Sequence, residues 1–430
     1  MVSAIFSAYA LRTAFFPFRR PALLFGLLIG LWLCAGAQAA ASSASTGDAH
    51  PPPAAQEGQR LPERLSPEIA QGVEMMAGAM IMMGFRGTEL APGDPFLKAV
   101  RSGRVGHVIL FDRDLATQGE RNIRSAEQVR ALTRSLREAA PGPFLIAVDQ
   151  EGGKINRLKA EAGVVSLPSA KTLGRGTPQN TRLLASRLGR DLAGLGISVD
   201  LAPDVDVDSN PANPAIGRLE RSFSADPDQV SKHGLAFAHG LMHAGVIPTL
   251  KHFPGHGGAE SDPHLELPDI TARWKSEVDL KPFVDAARSG WPGMIMIGHL
   301  QHKGLDPMYP ATLSPLIVNG LLRTTLDWKG VVITDDMQMR AITDRFSLEQ
   351  SIALAVNAGC DILLFGNNAH WDPDLPAKAH AALVGLVRQG VIPRERIRQS
   401  WQRITKLYAS LASAGLELVN DPGPPLVRIQ

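Results

Sequence analysis

Cysteine and tyrosine are scarce in this sequence of 430 residues, which contains two cysteines and three tyrosines. Cys34 lies in an apolar segment near the N-terminus, and Cys360 lies at the edge of a second apolar run. With Cys34 in a segment that export would remove, a single thiol is left, which excludes an internal disulfide framework. Cys360 is predicted to be a buried core residue rather than a catalytic nucleophile.

Long apolar runs are also lacking. The run from Ala22 to Gly36 is uninterrupted but has only 15 residues, whereas a membrane-spanning helix needs about 20. Basic residues that end at Arg20 precede this run, and the small residues Ala37-Gln38-Ala39 follow it. The pattern predicts a signal peptide over residues 1–39, export to the periplasm or the medium, and no permanent transmembrane span after processing.

Two other fates of the N-terminus stay open. An uncleaved N-terminal anchor is one alternative to the signal peptide. A lipid anchor on Cys34 is disfavoured, because the bulky Trp32 and Leu33 precede it where small residues are expected.

Charge of one sign is not in excess, since 44 Lys and Arg stand against 42 Asp and Glu. No basic stripe interleaves with aromatic residues, so nucleic acid is not an expected partner.

The histidines lack the His-x3-His spacing of a helical metal site. Gly84-Phe85-Arg86-Gly87 lacks the pattern of a phosphate-binding loop. The sequence therefore predicts neither a metal nor another cofactor.

What the sequence does have is a regular alternation of short apolar runs and amphipathic segments. This alternation follows an Ala/Ser/Pro-rich linker over residues 40–65. It spans a single folded domain over residues 66–414 and is followed by a tail over residues 415–430. Eight runs are predicted as strands: Ala79–Met83, Val105–Phe111, Phe144–Val148, Ile197–Leu201, Val246–Leu250, Met294–Ile297, Val331–Ile333 and Asp361–Phe365. The helical segments between them are Ala126–Ala139, Thr181–Gly194, Asp228–Ala244, Val278–Ser289, Ser314–Thr325 and Leu348–Ala358.

Strands that are apolar nearly throughout and alternate with helices indicate a parallel sheet that is covered on both faces. Eight such units predict an α/β protein with a single (β/α)8 TIM barrel, with an open doubly wound sheet as the alternative. In a barrel the active site lies where the strands end. Polar residues follow the strands at that position, as in Asp149-Gln150-Glu151, Lys251-His252 and Asp335-Asp336.

The loop after the fifth strand, Lys251 to His264, has the highest concentration of titratable residues and glycines in the sequence. It contains a lysine, histidines, glycines and the pair Asp262-x-His264. A carboxylate two residues from an imidazole can fix its tautomer and raise its basicity, which is a device for proton transfer. The glycines that precede the pair predict a segment able to move.

Four motifs in this order resemble glycoside hydrolase family 3, and within it the single-domain β-N-acetylglucosaminidases. They are Lys251-His252-Phe253-Pro254-Gly255-His256-Gly257 with Asp262-x-His264, Asp149-Gln150-Glu151-Gly152-Gly153, Arg221-Ser222-Phe223 and Thr334-Asp335-Asp336-Met337. The resemblance covers roughly residues 66–414. It implies a retaining β-N-acetylglucosaminidase that acts on amino-sugar glycosides, with peptidoglycan fragments as the natural substrate.

The resemblance also implies roles for individual residues. Asp335 is the expected nucleophile, and His264 is the expected acid/base with Asp262 as its partner. The sugar-binding positions fall on Asp149, Arg157, Arg221, Lys251 and His252. His299 stays open between the pocket and the core, and His256 is interpreted as structural.

Several alternatives remain at this point. Asp336 could replace Asp335, and His264 could be an ordinary surface histidine. The family also contains β-glucosidases and β-xylosidases, and a histidine acid/base is compatible with a glycoside phosphorylase. A carbohydrate-binding barrel without turnover is the alternative of another class. The motif around Arg221 departs from the compact form, which has two fewer residues after Gly217, so the shape of this loop is open.

Overall fold

The computed structural model describes residues 66–418. The predicted signal peptide and the linker up to residue 65 lie outside the described residues. Ten strands are present in this part of the chain: β1 Ile81–Gly84, β2 His107–Ile109, β3 Leu145–Val148, β4 Gln150–Gly152, β5 Ile155–Asn156, β6 Val199–Asp200, β7 Ile247–Phe253, β8 Met294–Ile297, β9 Val331–Thr334 and β10 Leu363–Phe365.

Helices cover the strands along the described chain. The α-helices are α1 Pro67–Ala79, α2 Pro95–Arg101, α3 Ala126–Ala139, α4 Ala170–Leu173, α5 Pro178–Gly194, α6 Pro227–His243, α7 Ser276–Asp279, α8 Lys281–Arg288, α9 Arg340–Thr343, α10 Leu348–Ala358, α11 Leu375–Arg388 and α12 Arg394–Leu418. Three short 3-10 helices and one π-helix complete the set: Ala160–Ala162, Gly217–Leu219, Ala311–Leu313 and Leu316–Thr325.

Eight of the strands form one parallel sheet in the order β10-β1-β2-β3-β6-β7-β8-β9. The two ends of this order meet, because Ile333 forms a parallel bridge with Ile362 just before β10. The Thr334 amide donates to the Ile362 carbonyl at 3.0 Å. The sheet is therefore a closed barrel, and the prediction of a (β/α)8 fold is confirmed.

The strands are buried along their whole length, as in β7 and β8, because helices cover them outside and side chains fill the barrel inside. Local signals set the helix ends. In α10 the Ser347 hydroxyl accepts the Gln350 amide, and the Gln350 side chain accepts the Ser347 amide. Gly359 ends this helix with φ of 123°, a conformation that favours glycine.

The wall at the N-terminal end of β10 contains a buried carboxylate, Asp361. Its two oxygens lie 2.6 Å from Arg323, 3.1 Å from Arg396 and 2.9 Å from Arg403. Arg396 and Arg403 belong to α12, so the last helix is fastened to the barrel on the side opposite the strand ends that carry the site. This cluster is structural.

All eight predicted strands are present, with ends that differ by a few residues. The predicted helix over 278–289 is divided into α7 and α8, and the predicted helix over 314–325 contains a π-helix. Helix α12 continues to Leu418, so the predicted start of the tail at residue 415 falls inside it. The hairpin β4–β5 was not predicted. Among the described residues, none of the helices combines the length and apolar character needed to cross a membrane.

Candidate active site

A cavity of about 470 Å³ lies at the C-terminal ends of the barrel strands. The residues of the predicted site that line it are Asp149, Arg157, Arg221, Lys251, His252, Asp262, His264 and Asp335. They come from the ends of β3, β7 and β9, from the hairpin β4–β5 and from the loops after β6 and β7. The barrel thus brings together eight of the nine positions, and the ninth, His299, lies elsewhere.

One wall of the cavity is a network of buried charges around Lys251. Its Nζ lies 2.8 Å from Asp149 Oδ1 and 2.8 Å from Glu151 Oε1. Arg221 donates two hydrogen bonds to Glu151, from Nη2 to Oε1 at 2.7 Å and from Nε to Oε2 at 2.9 Å. Burial alone would raise the pKa of Glu151, but the charges of Arg221 and Lys251 outweigh it and the pKa lies well below its ordinary value.

Glu151 is a residue that sequence reasoning missed as a member of the site. It holds two cations in fixed positions, so that Lys251 and Arg221 face the cavity together. The signal was present, since Glu151 follows Asp149 in the motif at the end of β3. The hairpin β4–β5 was needed to show that its side chain turns toward Arg221.

The loop before Arg221 is two residues longer than in the compact form of the motif, and the Arg221 guanidinium still lines the cavity. Gly217–Leu219 form a 3-10 turn, and Glu220 follows with φ of 59°. The Glu220 side chain points away, where it accepts from the Ser169 hydroxyl at 2.9 Å. The two additional residues are thus absorbed by a compact turn, while Arg221 is buried against Glu151.

His252 is oriented by Asp206 from the loop after β6. The distance from His252 Nδ1 to Asp206 Oδ2 is 2.7 Å, and the other oxygen of Asp206 accepts the backbone amides of His252 at 3.3 Å and His256 at 2.6 Å. Although burial would raise the pKa of Asp206, the neighbouring His252 and His256 lower it, so the carboxylate is ionised. A proton on Nδ1 leaves Nε2 of His252 as an acceptor, and this atom lies 3.5 Å from Arg221 Nη2.

His256 lies beside this pair with its ring edge-on to His252, 5.5 Å between centroids. Burial lowers the pKa of His256 to about 4, so its ring is neutral. Asp206, His252 and His256 form the one group in residues 66–418 with an arrangement that could hold a metal ion. Both oxygens of Asp206 already accept hydrogen bonds from the two histidine residues, whereas the buried Nε2 of His256 has no hydrogen-bond partner among the described residues.

Asp335 and Asp336 follow β9 in different environments. Asp336 turns into the wall, where Oδ1 accepts the amides of Gln338 at 3.0 Å and Gly366 at 2.9 Å. Burial and the charge of Asp335 raise the pKa of Asp336 to about 6 despite those amides. The pKa of Asp335 is lowered, because interactions with His299, His252 and the Asp336 amide outweigh its burial. The structure thus gives Asp336 the role of accepting backbone hydrogen bonds and leaves Asp335 ionised at the cavity.

His299 lies in the core below these two carboxylates and does not line the cavity. Its Nδ1 is 2.8 Å from the Thr312 hydroxyl, and its Nε2 is 2.9 Å from the Asp336 carbonyl. Both ring nitrogens are thereby satisfied within the protein. The alternative of a pocket histidine is corrected: His299 supports the Asp335–Asp336 turn from behind.

The pair Asp262–His264 lies at the mouth of the cavity. His264 Nδ1 lies 2.7 Å from Asp262 Oδ1, and the His264 backbone amide donates to the same oxygen at 2.9 Å. The hydrogen bond to Asp262 raises the pKa of His264 against the opposing effect of partial burial. The His264 side chain is 61% exposed, so it can meet a substrate group at the entrance.

The glycines that precede this pair are packed rather than free. Residues 251–259 are buried, and a Cβ on Gly257 would lie 1.7 Å from the Val207 carbonyl oxygen. In the segment 260–266, Glu260, His264, Leu265 and Glu266 are exposed, whereas Ser261 and Asp262 are half-buried and Pro263 is buried. The glycines therefore serve close packing, and the exposed side chains of this loop lie in the segment 260–266, which carries the pair.

This arrangement can perform a displacement at a carbon centre and transfer a proton. An ionised carboxylate lies at the cavity, an imidazole of raised pKa lies at its mouth, and a buried cation network can hold hydroxyl groups. These groups lie at the C-terminal ends of the strands of a closed (β/α)8 barrel, which is where barrel enzymes place their active sites.

Comparison with known proteins gives the family. The profile "Glycosyl hydrolase family 3 N terminal domain" matches residues 75–407, and the chain belongs to glycoside hydrolase family 3. A "Beta-hexosaminidase A" from Pseudoalteromonas piscicida is 35% identical over 343 residues, 74% of this chain and 56% of that protein. A "Beta-hexosaminidase" from Idiomarina loihiensis is 35% identical over 311 residues, 70% of this chain and 88% of that protein.

The structural comparison agrees. A family 3 β-N-acetylglucosaminidase from Paenibacillus sp. superimposes with a TM-score of 0.72 and 32% identity, over 82% of this chain and 64% of that chain. The chain thus spans just over half the length of the Pseudoalteromonas protein and just under two thirds of the Paenibacillus chain.

Proposed function

We propose that this enzyme is a retaining β-N-acetylhexosaminidase that releases terminal β-linked N-acetylglucosamine. The observation that carries the proposal is the pairing of one ionised carboxylate, Asp335, with the Asp262–His264 pair at the mouth of the same cavity. The names of the similar proteins, β-hexosaminidase and β-N-acetylglucosaminidase, support the choice of sugar.

The mechanism follows from the protonation states. The Asp335 carboxylate attacks the anomeric carbon, and the bond to the leaving oxygen breaks with its electron pair on that oxygen. Nε2 of protonated His264 donates a proton to the same oxygen. Neutral His264 then takes a proton from water, whose oxygen attacks the anomeric carbon and releases Asp335. Two inversions give net retention.

The remaining residues hold the sugar in this mechanism. Lys251 and Asp149 present a cation and a carboxylate to neighbouring hydroxyl groups, and Arg221 and His252 extend the polar wall. Arg157 lies at the rim, where its Nη1 is 4.0 Å from Asp112. Fixed polar groups of this kind bind a sugar without reorganisation when the transition state forms.

A substrate panel tests the activity. The purified protein should cleave an aryl β-N-acetylglucosaminide and leave the matching aryl β-glucoside and β-xyloside nearly untouched. A preference for glucoside or xyloside would contradict the assignment of the sugar. A glycosyl phosphate formed in phosphate buffer would identify a phosphorylase, which a histidine acid/base permits because a neutral imidazole does not repel phosphate. Binding without turnover would show a carbohydrate-binding barrel.

We further propose that the natural substrates are peptidoglycan fragments and that the enzyme acts outside the cytoplasm. The apolar segment over residues 22–36 and the small residues after it support export. Cell fractionation with N-terminal sequencing of the mature protein tests this. A cytoplasmic protein with an intact N-terminus would contradict it. Release of N-acetylglucosamine from purified muropeptides tests the substrate, and no release from them would contradict it.

A further inference from the structure

A second cavity of about 270 Å³, here called the annex, lies beside the main cavity. The annex is lined by Asp112, Arg113, Gln118, Gly119, Glu120, Ile123, Arg124, Arg157, Lys159 and Ala162. Four of these residues also line the main cavity: Asp112, Arg113, Arg157 and Lys159. The two cavities therefore adjoin along these four residues.

Positive charge is in excess in the annex. Arg113, Arg124, Arg157 and Lys159 face two carboxylates, Asp112 and Glu120. Glu120 is neutralised by Arg124 at 2.9 Å. This leaves three cations around the single carboxylate of Asp112.

The ion pairs of Asp112 are loose. Its oxygens lie 3.5 Å from Lys159 Nζ and 4.0 Å from Arg157 Nη1, both longer than a normal hydrogen bond. Arg113 forms no ion pair with a carboxylate of residues 66–418. The Nε of Arg157 is buried and has no hydrogen-bond partner in the same part of the chain. The shared wall of the two cavities thus offers donors that the protein itself leaves unused.

The position of the annex shows which part of the substrate can reach it. The leaving group lies beside His264, which protonates it in the proposed mechanism. Neither the segment 260–266 nor the segment 335–340 lines the annex. The annex therefore lies away from His264 and the leaving group, and it shares Arg157 with the residues that we propose to hold the retained sugar.

We propose that the annex binds an anionic ester group, a sulfate or a phosphate, carried by the terminal N-acetylhexosamine. Guanidinium groups match tetrahedral oxyanions in geometry and charge, and Lys159 adds a mobile ammonium. The proposal rests on the proposed function, because it concerns the sugar in the same active site. It extends the substrate class from neutral to acidic amino sugars.

The test compares a neutral aryl β-N-acetylglucosaminide with its 3-, 4- and 6-O-sulfates and its 6-phosphate. At least one ester should be cleaved with a kcat/KM within about tenfold of the neutral glycoside or above it. The ratio of charged to neutral kcat/KM should fall as salt rises, because salt screens the exposed cations. Sulfate and phosphate are distinguished by the two 6-esters.

Variants locate the effect. The double variant Arg113→Gln and Lys159→Gln should lower kcat/KM for the accepted ester about tenfold and change the neutral substrate less than twofold. Arg134→Gln, which removes an exposed cation of α3 outside both cavities, should change neither. Cleavage of the neutral glycoside with every ester below about 1% of its rate would overturn the proposal, as would equal losses on both substrates in the double variant.

A binding measurement separates failure of this proposal from failure of the proposed function. Calorimetry with N-acetylglucosamine and its sulfates needs no turnover. Tighter binding of a sulfate that the double variant abolishes supports the annex even if hydrolysis is absent. Equal or weaker binding of all the sulfates contradicts it.

Discussion

The Asp262 carboxylate and the His264 imidazole are joined by a hydrogen bond of 2.7 Å, and the same oxygen also accepts the backbone amide of His264. Two contacts to one oxygen fix both the backbone and the ring of His264. The ring then has its Nδ1 proton directed at Asp262 and its Nε2 available to the cavity. The orientation of the His264 ring is therefore set within three residues of the chain.

Replacement of Asp335 by alanine should lower kcat on an aryl β-N-acetylglucosaminide by about three to five orders of magnitude, because the covalent step is lost. Added azide should restore turnover and give an α-glycosyl azide, which nuclear magnetic resonance of the product detects. Asp336→Asn, which keeps an acceptor for the Gly366 amide, is the control and should retain far more activity. Near-normal turnover by Asp335→Ala would remove it from the nucleophile role.

Replacement of His264 by alanine should affect substrates according to their leaving groups. A nitrophenyl glycoside needs little protonation, so the first step should slow less than it does with an alkyl or sugar leaving group. The kcat/KM ratio of the two substrates in variant and wild type measures this. His239→Ala on the outer face of α6 is the control. Equal losses on both substrates would argue against the acid role.

Replacement of Asp262 by asparagine should move the pH profile. Asp262 raises the pKa of His264, and the first step needs the protonated ring. Activity therefore falls as pH rises through this pKa, and loss of the Asp262 charge should shift that alkaline limb to lower pH. The measurement is kcat/KM against pH for a glycoside with a poor leaving group, with the exposed Asp269→Asn as the control. An unmoved alkaline limb would contradict the coupling.

Replacement of Asp206 by asparagine should weaken catalysis through His252. The variant keeps the shape of the side chain but loses the charge that holds the Nδ1 proton of His252. Loss of a group that orients a functional histidine typically lowers activity about 10- to 100-fold. We expect kcat/KM to fall within that range with little change in the melting temperature. Asp208→Asn, two residues along the same loop, should be close to wild type. A fall in stability with unchanged kinetics in the remaining folded protein would assign Asp206 a structural role only.

Replacement of Asp361 by alanine should destabilise the fold by about 3–5 kcal/mol, because three half-buried arginines lose their buried partner. Its burial would raise the pKa of Asp361, but Arg323, Arg396 and Arg403 lower it below the ordinary value. The stabilisation is therefore present above about pH 4 and is lost as pH falls through the folded-state pKa. Urea unfolding at several pH values measures this.

The control for this stability measurement is Asp344→Ala, which removes an exposed partner of Arg340 and should cost less than about 1 kcal/mol. Equal effects of the two substitutions would show that the cluster around Asp361 is not important for stability.

Much of the fold followed from the sequence because its signals are local. Runs such as Met294–Ile297 are apolar throughout and are followed by polar residues, which marks a buried parallel strand and its end. The hairpin β4–β5 was not predicted, because Gln150–Gly152 is short and polar. Its pairing with Ile155–Asn156 is set by the tertiary environment. The division of the helix over 278–289 likewise has no clear periodic signal.

The sequence allowed most residues of the site to be identified, but not the placement of their side chains relative to one another. Asp335, His264 and Lys251 stand in motifs that can be recognised one at a time. The placement of His299 in the core could not be predicted, because it depends on Thr312 and on the Asp336 carbonyl.

The sequence by itself determined the eightfold alternation, the strand ends that carry polar residues and the Asp262–His264 spacing, because each is a property of neighbouring residues. The tertiary structure alone decided which of these groups act on one another. Glu151 and Arg221 are 70 residues apart, Lys251 and Asp149 are 102 apart, and Asp206 and His252 are 46 apart. Only closure of the barrel brings such groups within hydrogen-bond distance, and only the buried environment there sets their protonation states.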